Sequence, residues 1–268
     1  IKLSEDLNKK FPNKNFVPVY WMASEDHDFD EIKSCYSNGK NYEWKIKPSG
    51  AVGDIDPKSL KDLINKIPDV QDFFSDAYLT SDSLSLAVRK YMNAIFGDYG
   101  LLIFDPSSEV LKDSFNEIIK DDIFNNTMKD IESSYDDRSH VHVREINFFY
   151  KGDKFRERII RRGDEYSINN MDRKFSSSEL KSEIENHPDR FSPNVISRCL
   201  YQEFILPNVV YVGGPAEVVY WIGFKKFFDH YKIDFPVVSP RDFVLMLSKK
   251  SQKIMKNYNI ELKDLFLG

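Results

Sequence analysis

A chain of 268 residues with 41% apolar and 30% charged side chains is long enough to bury a large core, and it has the composition of neither a disordered nor a membrane-embedded protein. Its 43 acidic and 38 basic residues are interleaved for a net charge of −5, which excludes duplex nucleic acid held by a general basic face. No apolar run reaches transmembrane length, and the two cysteines, Cys35 and Cys199, lack CxxC spacing and are too few for a disulfide framework, so the cytoplasm is the expected compartment.

The opening IKLSEDLNKKF reads as the last turns of an amphipathic helix with neither a Met start nor a signal peptide, so the chain is expected to be a fragment. Residues 17–23 (VPVYWMA) form an apolar, aromatic and β-branched run. It is the pattern of a parallel strand buried on both faces. The run delivers six ionisable residues within the seven positions 25–31. Residues 41–47 read as a short strand, 48–56 as a turn-rich connection, and 57–67, 70–79 and 83–96 as helices, the last stopped by Gly97. Residues 101–104 (LLIF) form a second buried strand ending in Asp105 and Pro106, followed by a helix over 109–119 and another up to Tyr135.

From Val141 to Tyr166 the pattern alternates, with a hairpin signal at 151–154 (KGDK); the basic stretch 156–162 within it (RERIIRR) reads as a solvated hairpin. Ser176 and Glu179 have capping-box spacing for a helix over 176–186, and another helix covers 193–204. A strand at 208–212 runs into Gly213–Gly214–Pro215 and a long amphipathic helix over 216–231, and apolar segments follow at 236–238 and 243–247. The expected class is α/β: a Rossmann-like parallel core with a helical connective insertion and a small antiparallel hairpin subdomain. Its expected divisions are 1–135 and 176–247 for the core, 136–175 for the antiparallel part, and 248–268 for the start of a helical region.

In open α/β sheets ligands bind beyond the carboxyl ends of strands, which makes Ser24–Glu25–Asp26–His27–Asp28 the first site candidate. His27 could shuttle a proton or touch a nucleotide, and Asp26 or Asp28 would favour its charged form if close; the plain alternative is a loop that caps the next helix. No zinc spacing is present, and no metal site is identified. Gly213–Gly214–Pro215 between strand and helix is a cradle for an anion in kind, without the full GxGxxG pattern or a Walker lysine; Glu217 in the first turn is a dipole partner or a ligand acceptor. Tyr220 and Trp221 read as core or pocket wall. His142 and Arg144, with His140, fall on one face of an extended segment, and Asn194 opens a helix on which Arg198 and Gln202 share a face, with Arg198 a candidate clamp for carboxylate or phosphate.

Taken together, VPVYWMASEDHDFDEI, FGDYGLLIFDPS, the HVRE segment and HPDRFSPNVISRCLYQEFILPNVVYVGGPAEVVYW resemble the cysteine-adding ligase of bacillithiol synthesis, the BshC family, over nearly the whole chain. The resemblance implies a Rossmann-like core with connective insertions, reminiscent of class I aminoacyl-tRNA synthetases, and a coiled coil that supports a homodimer. It implies a reaction in which L-cysteine is joined to the amino group of glucosaminyl-malate. Both are small-molecule substrates, and neither nucleic acid nor membrane is a partner. Making an amide in water requires an activated carboxyl, so ATP/ADP is the expected cofactor. In that scheme His27 and Asp28 contact nucleotide or move a proton, with Glu25 and Asp26 beside them. Gly213, Gly214 and Pro215 admit the ligand, Glu217 orients it, and Arg198 and Asn194 hold the malate-bearing sugar. Two departures are local: Ser24 and Ala216 stand where the family often has glycine. The family's GQQ stretch and first Rossmann strand are expected before Ile1, and its coiled coil after Gly268. Readings from other classes are a non-catalytic nucleotide- or sugar-binding module and a metal-dependent hydrolase using the Asp/His cluster.

Overall fold

The computed structural model describes residues 1–133 and 142–266; the expected helix end near Tyr135, His140 and the expected strand start at Val141 lie outside them. Helix α1 (Lys2–Lys10) carries Lys9 and Lys10 in its last turn, where the helix dipole favours cations, and leads to β1 (Val19–Trp21). Next come β2 (Ser34–Ser37) and β3 (Lys40–Glu43), an antiparallel hairpin that replaces the single strand expected over 41–47. Its turn is Asn38–Gly39, with φ of 47° and 77°. Both residues accept the left-handed region that a two-residue hairpin demands.

The insertion continues with α2 (Lys61–Ile64), α3 (Asp72–Leu79) and α4 (Leu84–Phe96), the last capped by Ser83 Oγ, which accepts from Leu86 N. α4 ends at Phe96 with Gly97 as its C-cap, as expected, though without a left-handed turn there. Gly97 is right-handed and opens a 3-10 turn, and the left-handed residue is Gly100 at φ 73°. The chain then enters β4 (Leu102–Phe104), parallel to β1 in the register Val19 to Leu102 and Trp21 to Phe104. Burial on both faces, expected for this pair, is not observed: Tyr20 and Leu102 are 37% and 57% exposed. Among the described residues the pair has no third strand.

The helix expected over 109–119 is two, α5 (Glu109–Asp113) and α6 (Asn116–Asn125), because Phe115 leaves the helical path and plunges into the core. α7 (Thr127–Ser133) follows a left-handed Asn126. The antiparallel part is a five-stranded sheet built from β5 (Phe148–Gly152), β6 (Phe155–Arg162), β7 (Glu165–Ile168), β8 (Lys174–Ser176) and β9 (Phe191–Pro193), in the order β8-β7-β6-β5-β9. It takes in residues beyond 175. Residues 142–147 belong to no helix or strand, and Glu145 lies at a bend.

α8 (Ser177–Asn186) has the capping box of Ser176 and Glu179, and α9 (Val195–Ile205) is capped by Asn194, whose side-chain oxygen accepts from Ile196 N and Ser197 N. β10 (Val210–Gly213) leads into α10 (Pro215–Gly223) and α11 (Lys225–Tyr231). The single helix expected here breaks at Phe224, again a ring drawn into the core. β11 (Val237–Pro240) pairs in parallel with β10, and α12 (Lys249–Asn257) lies beyond. Residues 243–247, read as an apolar element, have no regular structure, and Phe243 and Met246 are 76% and 90% exposed. The main core joins the five-stranded sheet to α6, α8, α9, α10 and α11, while Phe29, Trp44, Val52 and Leu84 form a satellite core under the insertion.

Candidate active site

The segment after β1 is braced before it meets any ligand. Met22 N donates to Phe104 O, extending the parallel pairing by one bond at 2.9 Å. Ser24 Oγ donates to Asp105 Oδ1 at 2.6 Å, and Ser107 N and Oγ donate to the same oxygen at 3.1 and 2.8 Å, so the carboxyl ends of β1 and β4 are tied together. Ser24 O accepts from Gly53 N and Asp26 O from Val52 N, at 2.9 and 2.6 Å. A Cβ on Gly53 would lie 2.5 Å from Ser24 O, so glycine is required for that approach. Ser24 is therefore a buried brace, not an opening for a ligand.

An open cavity lies where this segment faces the sheet. One wall holds Trp21, Glu25, Asp26 and His27; the other holds Phe149 and Arg156 from β5 and β6, then Asn194, Arg198 and Tyr201 at the start of α9, with His142 and Arg144 beside them. Arg156, which the charge pattern left on a solvated hairpin, is a central group of the site. It donates from Nε to Ser192 Oγ at 2.8 Å and from one terminal nitrogen to Pro193 O at 2.8 Å, and its plane lies 3.9 Å from the centre of the Phe149 ring. Its other terminal nitrogen is 3.0 Å from His27 Nδ1. A guanidinium only donates, so Nδ1 is the acceptor and Nε2 carries the proton of the neutral ring. Burial pushes the Arg156 guanidinium down to about 10, countered by Glu25 and Asp26, and it stays charged at neutral pH.

Glu25 pairs with Lys112 at 2.7 Å inside the protein, and Lys112 also donates to Phe191 O at 3.2 Å and stands 4.7 Å above the Tyr201 ring. Burial lowers the Lys112 ammonium from its usual range against the pull of Glu25. Asp26 is 3.6 Å from His27 Nδ1 and 3.9 Å from Arg198, and it caps its own chain by accepting from His27 N. Neither Arg144 nor Arg156 has a carboxylate within ion-pair distance among the described residues. The cavity thus presents an excess of positive charge.

Other candidates go elsewhere. Asp28 is exposed at the start of a 3-10 turn and does not line the cavity, and Gln202 is buried with its amide on Glu203. The turn Gly213–Gly214–Pro215 is not a free cradle, because Gly214 N already donates to Glu217 in a capping box. Glu217 also accepts from Tyr211 OH at 3.1 Å, and a Cβ on Gly214 would meet Arg241 at 3.3 Å. A Cβ on Gly213 would strike the Tyr211 ring at 2.7 Å, so both glycines serve packing. Trp221 stacks on Tyr211 at 4.1 Å in the core; half-buried Tyr220 touches the site through its contact with Arg198. Cys199 donates to Val195 O, and burial pushes its thiol upward, away from thiolate chemistry. Among the described residues no group of three or more His, Cys, Asp and Glu is placed to hold a metal ion, and no helix is long and apolar enough to cross a membrane.

Pattern reading missed Lys112 and Tyr201 altogether. A signal existed for the first, since Lys112 precedes Phe115 and Ile119 at helical spacing and so lies on an apolar face, where a lysine needs a buried partner.

The model of the bacillithiol biosynthesis BshC N-terminal Rossmann-like domain matches residues 1–242. Relatives named "Putative cysteine ligase BshC" include those of Flavobacterium johnsoniae, 40% identical over 99% of this chain and 53% of the relative, and Cytophaga hutchinsonii, 38% identical over 100% and 53%. The relative from Staphylococcus aureus is 26% identical over 100% of this chain and 55% of its own. The chain spans about half the length of the curated relatives it matches. With a family model covering most of its residues and relatives aligned along its whole length, the chain belongs to the bacillithiol biosynthesis BshC family.

Proposed function

We propose that this chain carries the active site of a ligase that joins the carboxyl group of L-cysteine to the amino group of glucosaminyl-malate, the last step of bacillithiol biosynthesis. The observation that carries the reading is the cavity at the carboxyl end of the β1/β4 pair, with a histidine held in one tautomer beside an excess of arginine charge. A site with more arginines than carboxylates suits a ligand with carboxylates, and malate brings two. Arg198 and Arg144 would take the malate carboxylates, with Asn194 at the helix start beside them.

The amine must lose its protons as the amide forms. In this tautomer Nε2 already bears a proton and the lone pair is at Nδ1, so His27 takes the amine's proton at Nδ1 when Arg156 yields that position to the ligand, and Asp26, 3.6 Å from Nδ1, faces the imidazolium so formed. The cysteine carboxyl needs activation, for which ATP is the proposed source. The Gly213–Pro215 turn does not suit its phosphates, because the Gly214 amide is occupied, and no step is assigned to that turn. A homodimer and a cytoplasmic setting belong to the same proposal for the full-length protein.

Replacing His27 by Asn in the full-length protein tests the role. Ligation of cysteine to glucosaminyl-malate is expected to fall by about a hundredfold or more, with the circular dichroism spectrum unchanged. Wild-type turnover by the variant would remove His27 from the chemistry.

A further inference from the structure

The two arginines assigned to the malate carboxylates stand on elements of different kinds. Arg144 is on a segment that belongs to no helix or strand, and Arg198 is in the first turn of α9. Two long side chains of like charge do not hold each other in place. Their backbones nevertheless meet at one residue. Asn147 Oδ1 accepts from Arg144 N at 3.1 Å and from Asn194 Nδ2 at 3.0 Å, while Asn147 Nδ2 donates to Arg144 O at 3.0 Å and to Asp122 Oδ1 at 2.9 Å. A primary amide offers two lone pairs and two N–H groups, and all four are used. The main chain of Asn147 adds a second link to α9: its O accepts from Asn194 N at 3.0 Å and from Ser197 Oγ at 2.6 Å, and Asn194 O accepts from Arg198 N at 2.9 Å. Asn147 is 0% exposed and does not line the cavity, so it touches no ligand there itself.

We propose that Asn147 is the positioning residue that fixes Arg144 and Arg198 relative to each other, and that it thereby makes the site selective for a sugar bearing two carboxylates over one bearing a single carboxylate. The assignment rests on the functional reading above and names what sets its specificity. Both backbone groups of Arg144 end on the Asn147 side chain, and that side chain and its carbonyl hold the cap of the helix that carries Arg198. One buried group therefore sets the distance between the roots of the two cations. Asp122, buried behind it, accepts from both Asn147 Nδ2 and Asn147 N, which keeps the amide from rotating away. Two cations rooted at a fixed spacing match two anions at a fixed spacing, whereas a monocarboxylate engages one of them and leaves the other in water. Charge-assisted hydrogen bonds weaken steeply once their geometry is lost, so releasing the roots removes the second contact before it removes the first.

Calorimetry on the full-length protein tests this with two probes, glucosaminyl-malate and glucosaminyl-lactate, in which a methyl group replaces the carboxymethyl group. The wild type is expected to prefer the malate compound by about tenfold or more, the scale of one charge-assisted hydrogen bond. Asn147→Ala should reduce that preference to about twofold or less and leave the affinity for the lactate compound within about threefold. A purely structural role would weaken both compounds together and keep their ratio. Arg144→Met should lower the preference as well, and adding Asn147→Ala to it should lower it by no more than about twofold further, because the two changes remove one contact. Should Asn147→Ala fail to fold, Ser197→Ala carries the test: it removes one of the two donors to Asn147 O, leaves the partners of Asp122 in place, and should lower the preference by about threefold. A preference retained in folded Asn147→Ala, or in Ser197→Ala where the first variant does not fold, overturns the assignment and leaves the functional reading standing. Wild-type binding of both compounds without preference does the same. If the wild type binds neither compound, the functional reading fails and the assignment fails with it.

Discussion

A guanidinium that donates at once to Ser192 Oγ, Pro193 O and His27 Nδ1, and lies flat on Phe149, uses both its fork and its face. Lysine has neither, for its ammonium is a point charge on a flexible stem. Arg156→Lys is therefore expected to keep the charge and lose the geometry. His27 would lose the donor that fixes its tautomer, and ligation by the full-length protein should fall by about tenfold to a hundredfold, with a smaller change in substrate affinity. Steady-state kinetics separate the two effects, and a change confined to KM would remove Arg156 from the positioning of His27. The sequence concealed this residue for a definite reason. Arg156 begins a run with Arg158, Arg161 and Arg162, and a basic run on a strand usually faces water. Only the pairing of β5 with both β6 and β9, which lays Phe149 and Ser192 beside it, distinguishes Arg156 from its neighbours. Register across three strands is not written in any one of them.

Among the elements, those with local causes were legible. The apolar run before the charge cluster, the capping box at Ser176 and the Asn194 helix each depend on residues within a few positions; both helices form where expected, while the strand covers only Val19–Trp21 of the run 17–23 and leaves Tyr20 exposed. Asn38–Gly39 was equally local and was overlooked, because a two-residue turn between short strands was masked by the polar stretch around it. Helix breaks at Phe115 and Phe224 are a different case. There the periodicity runs on, and tertiary burial of a ring outweighs it. The short 3-10 turn Val52–Asp54 was likewise invisible in function, since its role is to press Gly53 and Val52 against the backbone of Ser24 and Asp26. Gly53→Ala tests that role. Its new Cβ would stand 2.5 Å from Ser24 O and 2.8 Å from Ser24 Cβ, so the segment bearing Glu25 and His27 must shift. A loss of about 1–3 kcal/mol is expected in chemical denaturation, with weakened ligand binding even below the transition; wild-type stability would show that the turn yields freely.

At the scale of the whole molecule, the β1/β4 pair supplies the site with its loops, while the five-stranded sheet and α9 supply its opposite wall and most of the core. That wall is tied to α6 through buried polar groups. Asp122 on α6 is fully buried and accepts from Asn147 N at 2.6 Å and Asn147 Nδ2 at 2.9 Å; Asn147 O in turn accepts from Asn194 N and Ser197 Oγ at 3.0 and 2.6 Å. A carboxyl that does not line the cavity thus fixes the start of the helix that carries Arg198. Burial pushes Asp122 up to about 7, outweighing the two hydrogen bonds that favour its charged form. Between its unfolded value of 3.8 and about 7 the folded state holds a proton that the unfolded state has lost. The folded state binds more protons there, so its stability must fall as pH rises through that window and level off above it. Asp122→Asn removes the titration. Urea denaturation at pH 5 and pH 8 is expected to show wild type losing stability between the two, beyond any change in the variant. Parallel pH dependence in the two proteins would mean that Asp122 keeps one protonation state in the fold, with the Asn147 hydrogen bonds prevailing over burial.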